Sequence, residues 1–191
     1  MSAAAVQLSL LGPAPALLEG LRYRPDLIAA AEEAALVEHI AGLPLRPFEF
    51  HGYFGNRRTV SFGFRYDYGD HAIHDTEPIP EFLLPLRDRA AQFAGLDAAQ
   101  LQHALVTEYT PGAGIGWHRD RPVFADVIGV SLLAPCRFRL RRKHGNNWER
   151  TALNLAPRSA YLLRGPVRYE WQHSIASMEE LRYSVTFRSR A

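Results

Sequence analysis

The stretch Arg182-Tyr183-Ser184-Val185-Thr186-Phe187-Arg188 alternates polar and apolar side chains without a break. Period two is the signature of a strand, whose successive side chains point to opposite faces. Tyr183, Val185 and Phe187 share one face and are expected in a core. Arg182, Ser184, Thr186 and Arg188 line up on the other. Two cations fixed on an inward face are costly unless an anion meets them. A dicarboxylate suits the row: one guanidinium forks its distal carboxylate while the other braces its opposite end. The competing reading is an edge strand with a wet face, where two exposed arginines need no partner.

The same texture extends upstream. From Gln102 onward the chain reads as short strands broken by Gly and Pro, over 103–109, 127–133, 136–142, 148–155, 160–164 and 182–188. A tight loop is expected at 111–114 and a hairpin turn at His144-Gly145-Asn146-Asn147. Helical periodicity is confined to the first half. It predicts one helix over 25–41, with Asp26 near its start, and a second over 81–94. Between them, aromatic and polar residues alternate over 46–70, which predicts strands with Gly55-Asn56 as a turn. Residues 1–16 read as an irregular lead-in. The expected fold class is α+β in one domain over 1–191, helices first and a β-sandwich or jelly roll after.

His118-Arg119-Asp120 places an imidazole and a carboxylate on one face of an extended segment, aimed at one point. A third ligand has to come from elsewhere in the chain. His173 is the best candidate, with His103 and His144 as alternatives. Two histidines and one carboxylate leave coordination positions open, the pattern of non-haem Fe(II) oxygenases.

Three stretches together resemble the AlkB family of Fe(II)- and 2-oxoglutarate-dependent dioxygenases: Tyr109-Thr-Pro-Gly-Ala-Gly-Ile-Gly-Trp-His118-Arg-Asp120, then His173-Ser-Ile, then the strand from Arg182 to Arg188. The resemblance implies a double-stranded β-helix over 103–190, with the N-terminal helices packed on one sheet. It implies His118, Asp120 and His173 as iron ligands. It puts Arg182 and Arg188 on 2-oxoglutarate together with Tyr109, Thr107 and Ser184. The segment 46–70 resembles the family's nucleotide-recognition lid, where Arg57 and Arg58 would meet phosphates and Phe62, Phe64 or Tyr66 would stack on a base. Trp117 either walls the substrate side or faces the core. In three places the sequence departs from the family pattern. Thr107 and Ser184 stand where Asn is usual, and each keeps a hydroxyl. Pro122 stands where some nucleic-acid-acting members carry a base-reading acid.

The chemistry implied is oxidation of a C–H bond by O2, coupled to decarboxylation of 2-oxoglutarate to succinate. On an N-methyl group the hydroxymethyl product breaks down to formaldehyde and the bare amine. The implied partner is alkylated DNA or RNA, preferably single-stranded, since a base in a duplex must first be flipped out. A protein side chain or small molecule is the alternative substrate, and a non-catalytic jelly-roll binding module is the remote one.

Charge is unevenly spread: net −6 over residues 1–118 and +8 over 119–191, nearly all of the positive charge being Arg. An Arg-rich half is either a solvated face or one that meets an anion. The 47% hydrophobic and 22% charged content is that of an ordinary globular chain, so neither a fibrous nor a disordered class fits. No apolar run reaches the roughly 20 residues of a membrane span. Cys136 is the only cysteine, which excludes an intrachain disulfide and a cysteine zinc site. A cytoplasmic monomer is the expectation.

Overall fold

The structure, a computed structural model, describes residues 18–50, 53–66, 69 and 72–191. The expected lead-in over 1–16, and part of the segment 46–70, lie outside the described residues. In chain order the elements are β1 (Leu21–Arg24), α1 (Ala30–Ala41), β2 (Arg46–Phe50), β3 (Tyr53–Phe62), β4 (Phe64–Tyr66), β5 (Ile73–Asp75), α2 (Leu84–Ala94), β6 (Leu101–Tyr109), β7 (Ile115–His118), β8 (Phe124–Leu132), β9 (Cys136–His144), β10 (Asn147–Leu155), β11 (Ala160–Leu163), α3 (Gly165–Tyr169), β12 (Gln172–Ile175) and β13 (Arg182–Arg190).

The strands form a larger sheet in the order β1-β11-β8-β13-β6-β3-β2, a smaller one in the order β10-β9-β12-β7, and the pair β4-β5. From β6 onward the chain crosses repeatedly between the two larger sheets: β6 in the larger, β7 in the smaller, β8 back, β9 and β10 across, β11 back, β12 across, β13 back. That alternation, with every pairing antiparallel, is a double-stranded β-helix. β1, β2 and β3 extend the larger sheet beyond the expected span 103–190.

β13 lies in the middle of the larger sheet, hydrogen-bonded to β6 on one side and β8 on the other. The edge-strand reading of Arg182–Arg188 is therefore wrong. Its apolar face, with Tyr183, Val185 and Phe187, joins Ala104 and Val106 of β6 and Ile128 and Val130 of β8 in one core. Leu36 and Ile40 of α1 and Leu86, Ala90 and Phe93 of α2 close that core from outside. A second cluster fills the space between the sheets, from Phe138 and Leu140 of β9 to Tyr161 and Leu163 of β11. Helices on one side and a second sheet on the other leave β13 with no wet face.

Three local expectations need correction. The first helix starts at Ala30, not at 25. Asp26 has a positive φ of 47°, and Leu27 N–H donates to Arg158 O at 2.8 Å, which holds this segment out of the helix. The start is supported by Glu32, whose carboxylate accepts from Ala29 N–H at 2.8 Å. Gly55-Asn56 is no turn but lies within β3, which runs unbroken from Tyr53 to Phe62. The second helix opens with a 3-10 turn over Glu81–Leu83 before α2 proper. The hairpin formed as expected, with His144 paired to Asn147 across Gly145 and Asn146.

Candidate active site

Between the two sheets lies a cavity of about 950 Å³. Its floor is the polar face of β13 and the same-facing residues of its neighbours: Arg182, Ser184, Thr186 and Arg188, with His103, Thr107 and Tyr109 from β6. Pairing sets these groups in rows. Ser184 is in register with Thr107 on one side and with Ser131 on the other, so three hydroxyls lie abreast. All three residues are buried.

The opposite wall carries the triad. His118 ends β7 and is paired in register with His173 of β12, their ring centroids 4.2 Å apart. Asp120 follows two residues later, and its Oδ2 is 3.6 Å from His173 Nε2. His118 lines the cavity, and its Nδ1 donates to Gly116 O at 2.8 Å, which leaves the lone pair of the neutral ring on Nε2. Arg188 grips Asp120 Oδ1 from Nε at 2.9 Å and from Nη2 at 2.8 Å. Asp120 Oδ2 is buried and has no hydrogen-bond partner. Among the described residues, no group of three or more His, Cys, Asp and Glu side chains meets the geometry of a metal site; the three side chains lie side by side, the two imidazole rings 4.2 Å apart and Asp120 Oδ2 3.6 Å from His173 Nε2.

Electrostatics prepares the donors. Burial lowers the pKa of His173 to about 3, helped by His118 and Arg188 and opposed by Asp120. Burial also lowers that of His118. Both imidazoles are thus neutral near pH 7 and able to donate a lone pair. Burial alone would raise the pKa of Asp120, but Arg188 above all, then the two histidines and Arg168, hold it well below the usual carboxylate range. One anionic oxygen lacking a partner, beside two neutral imidazoles, fits a divalent cation.

Arg182 is the second unsatisfied group. It is 1% exposed, donates from Nε to Ser131 Oγ at 3.1 Å and lies over the Tyr109 ring at 5.0 Å. Its Nη1 is buried without a hydrogen-bond partner. A buried guanidinium with only a hydroxyl and a ring beside it fits a carboxylate ligand.

The remaining predicted residues divide by strand parity. Arg57 lines the cavity with Thr59 and Ser61, and its guanidinium lies 3.8 Å over the Phe48 ring. Arg58 and Phe62 face the other way. Arg58 is paired with Glu108 through Nε at 2.7 Å and Nη2 at 2.8 Å, and Phe62 is buried in the core beneath the helices. Neither reaches the cavity, because adjacent and odd-spaced strand residues cannot share a face. Phe64 is also buried, stacked on Phe124 and tilted against His103. Tyr66 lines the cavity, with Arg121 5.1 Å over its ring. Trp117 is in neither core. It borders the cavity and meets Arg139 and Arg141 outside. Pro122 lines the mouth. Of the alternatives to His173, His144 sits at the hairpin, and His103 accepts from Arg188 Nη1 at 3.3 Å, between the rings of Phe64 and Phe124.

Sequence reasoning missed Arg168. This buried residue of α3 donates to Asp120 O at 3.3 Å and to Arg121 O and Phe124 O at 2.7 Å. It fixes the segment that carries the triad carboxylate. No local signal marks it, since its partners are backbone groups over forty residues away. Gly129 was missed too. A Cβ there would lie 2.3 Å from the Tyr161 ring, so only Gly lets that ring lie across β8 as a cavity wall.

The sequence profile described as the 2OG-Fe(II) oxygenase superfamily matches residues 22–188. The chain belongs to that family. Within it the chain is AlkB-like, and the family's cofactor set is Fe(II), 2-oxoglutarate and O2. It is 30% identical over 188 residues to an Arabidopsis thaliana protein named alkylated DNA repair protein ALKBH8 homolog, covering 83% of this chain and 51% of that one. It is 34% identical over 127 residues to the mouse protein named alpha-ketoglutarate-dependent dioxygenase alkB homolog 7, mitochondrial, covering 61% and 56%. The chain thus spans only about half of these relatives' length. The solved structure of OsALKBH1 superposes with a TM-score of 0.70 at 16% identity, over 90% of this chain and 97% of that one. This likeness bears on the fold alone. No helix among the described residues is long and apolar enough to cross a membrane.

Proposed function

We propose that this chain is a 2-oxoglutarate-dependent dioxygenase that removes N-linked methyl groups oxidatively from bases in nucleic acid. The observation that carries the reading is the pair of unsatisfied buried groups in one cavity, Asp120 Oδ2 and Arg182 Nη1. One calls for a cation and the other for an anion. His118, Asp120 and His173 would hold Fe(II), and Arg182, with the hydroxyls of Thr107, Ser184 and Ser131 and the Tyr109 ring, would hold 2-oxoglutarate. Arg188 keeps Asp120 ionised and oriented. When bound, iron and cosubstrate supply the oxidation of a C–H bond by O2. The protein's own part is to hold the methyl group beside the metal face and keep that face dry.

Charge at the mouth supports the substrate class. Asp120 is the one acid among the described cavity-lining residues, against Arg57, Arg65, Arg119, Arg121, Arg168, Arg182 and Arg188. Such a cavity favours a polyanion, and Tyr66 and Trp117 offer ring faces to an unpaired base. Pro122 supplies no acid to read a base edge, which favours the second reading, the same chemistry on a protein side chain or small molecule.

The test measures succinate and formaldehyde from 2-oxoglutarate, Fe(II), ascorbate and a methylated single-stranded oligonucleotide, beside His118→Ala. Both products are expected together and both vanish in the variant. Succinate without formaldehyde moves the substrate to the second reading. No succinate from metal-loaded protein overturns the enzyme reading.

A further inference from the structure

The outer face of the smaller sheet carries charge that the site does not use. Register fixes which side chains share it. On β9 and β10 the facing pairs are Arg137 with Asn154, Arg139 with Ala152, Arg141 with Arg150 and Lys143 with Trp148. Phe138 and Leu140, of opposite parity, fill the interior. Gln172 and Ser174 of β12 continue the same face, since they are paired with Arg141 and Arg139. Five cations therefore stand on one face, and no acid is among these paired residues. Glu149, the nearest acid in sequence, is paired with Arg142 on the opposite parity and bonded to it.

Two of the cations are held flat by neutral groups. Arg139 Nε donates to Ser174 Oγ at 3.0 Å, and Arg141 Nε to Gln172 Oε1 at 2.8 Å. Arg141 is sandwiched between two indoles, 4.4 Å from the Trp117 ring and 4.2 Å from the Trp148 ring. The result is a stack, Trp117–Arg141–Trp148, that crosses the sheet. Trp117 and Gln172 also border the cavity mouth, so the stack starts there. Arg137, Lys143 and Arg150 are exposed on either side of it. Along β9 the cations recur every second residue, about 6.8 Å apart, near the phosphate repeat of an extended strand.

We infer that this face is a second nucleic-acid contact, a track on which a single strand lies after leaving the cavity mouth, its phosphates on Arg137, Arg139, Lys143 and Arg150 and its bases against Trp117 and Trp148. It rests on the nucleic-acid reading of the cavity and adds a surface outside it. The match is of charge and of chemistry. Guanidinium and ammonium groups with no acid on their face meet phosphate, and the exposed Trp148 ring and half-buried Trp117 ring meet bases without sequence preference. The track holds the strand while the cavity takes one base.

The test measures binding of an unmodified single-stranded oligonucleotide to the full chain across a salt series. It uses the triple variant Arg137→Gln, Lys143→Gln, Arg150→Gln and, separately, Trp148→Ala. None of these four side chains is part of the cavity, and succinate formation without nucleic acid is expected to be unchanged in both variants. The triple variant should lose about tenfold or more in affinity, and its log–log salt slope should fall by about 2, roughly 0.7 for each phosphate that is no longer neutralised. Trp148→Ala should lose about tenfold with little change in slope. Wild-type affinity and slope in the triple variant overturn the track. So does tighter binding to phosphatidylserine vesicles than to the oligonucleotide, which would make the face a lipid surface. Formaldehyde release from a methylated oligonucleotide, measured in parallel, reports on the cavity reading separately. A track that fails leaves that release intact, while a cavity reading that fails leaves the salt-dependent binding.

Discussion

At the scale of single residues, the informative ones are those whose chemistry is unmet. Arg182 is almost fully buried and its charge faces no carboxylate. Removing a buried cation that has no anionic partner should cost the ligand-free fold little, no more than about 1 kcal/mol. Removing it from a bound carboxylate should cost about 2–5 kcal/mol of affinity, at least thirtyfold. Arg182→Met is therefore expected to keep its Tm without ligand and to lose the Tm rise that 2-oxoglutarate gives the metal-loaded protein. An unchanged ligand-induced rise would remove Arg182 from the cosubstrate site. Arg188 differs in kind. It already has its carboxylate in Asp120, which it holds through Nε and Nη2, and so does not wait for an anion.

At the scale of elements, the cavity depends on strand pairs that let large rings lie across small residues. Tyr161 of β11 is in register with Gly129 of β8, and its ring stacks on Phe138 at 4.6 Å. A methyl group at 129 would meet that ring at 2.3 Å, inside any tolerated approach. Gly129→Ala should destabilise the protein by about 1–3 kcal/mol in urea unfolding. The loss should shrink to a few tenths in a Tyr161→Leu background, because the clash is then gone. Equal losses in both backgrounds would show that the backbone at 129 matters and the ring does not. The alternation on β3 belongs to this scale as well. Arg57 and Arg58 look equivalent in the sequence, yet one lines the cavity and the other is bound to Glu108 beneath the sheet.

At the scale of the whole molecule, burying neutral histidines ties stability to pH. His173 titrates at about 3 in the fold, and His103 is also lowered well below its ordinary value, burial being the largest cause for each. An unfolded histidine takes its proton near 6.5. Below that pH the unfolded chain binds more protons than the fold, so stability falls as pH falls. Each of the two groups contributes up to about 1.4 kcal/mol per pH unit between 6.5 and its folded value. Asp120 acts in the same direction lower down, since its depressed pKa gives full stabilisation above the ordinary carboxylate range and loses it progressively as pH falls below that range. The metal-free protein should therefore show a clear drop in unfolding free energy from pH 7 to pH 5.5 in urea titrations. A flat profile would mean that these histidines take up protons in the fold as readily as in the unfolded chain.

Whatever depends on residues close in sequence was legible without a structure. The alternation of Arg182–Arg188 told which side chains share a face, and the spacing of His118 and Asp120 told that two donors point together. Strand period and i, i+2 geometry are local properties of the backbone, so any chain that extends there shows them. Which face is buried, and what lies across from it, was decided by pairing between distant strands. Only the tertiary structure put β13 between β6 and β8, which turned a face that could have been wet into a cavity floor. Only it set His173 opposite His118, drew Arg168 onto the backbone after Asp120 and sent Phe62 into the core while Arg57 faced the cavity. Local periodicity specifies a strand's two faces, and only the layers packed against it determine which of them meets water, core or ligand.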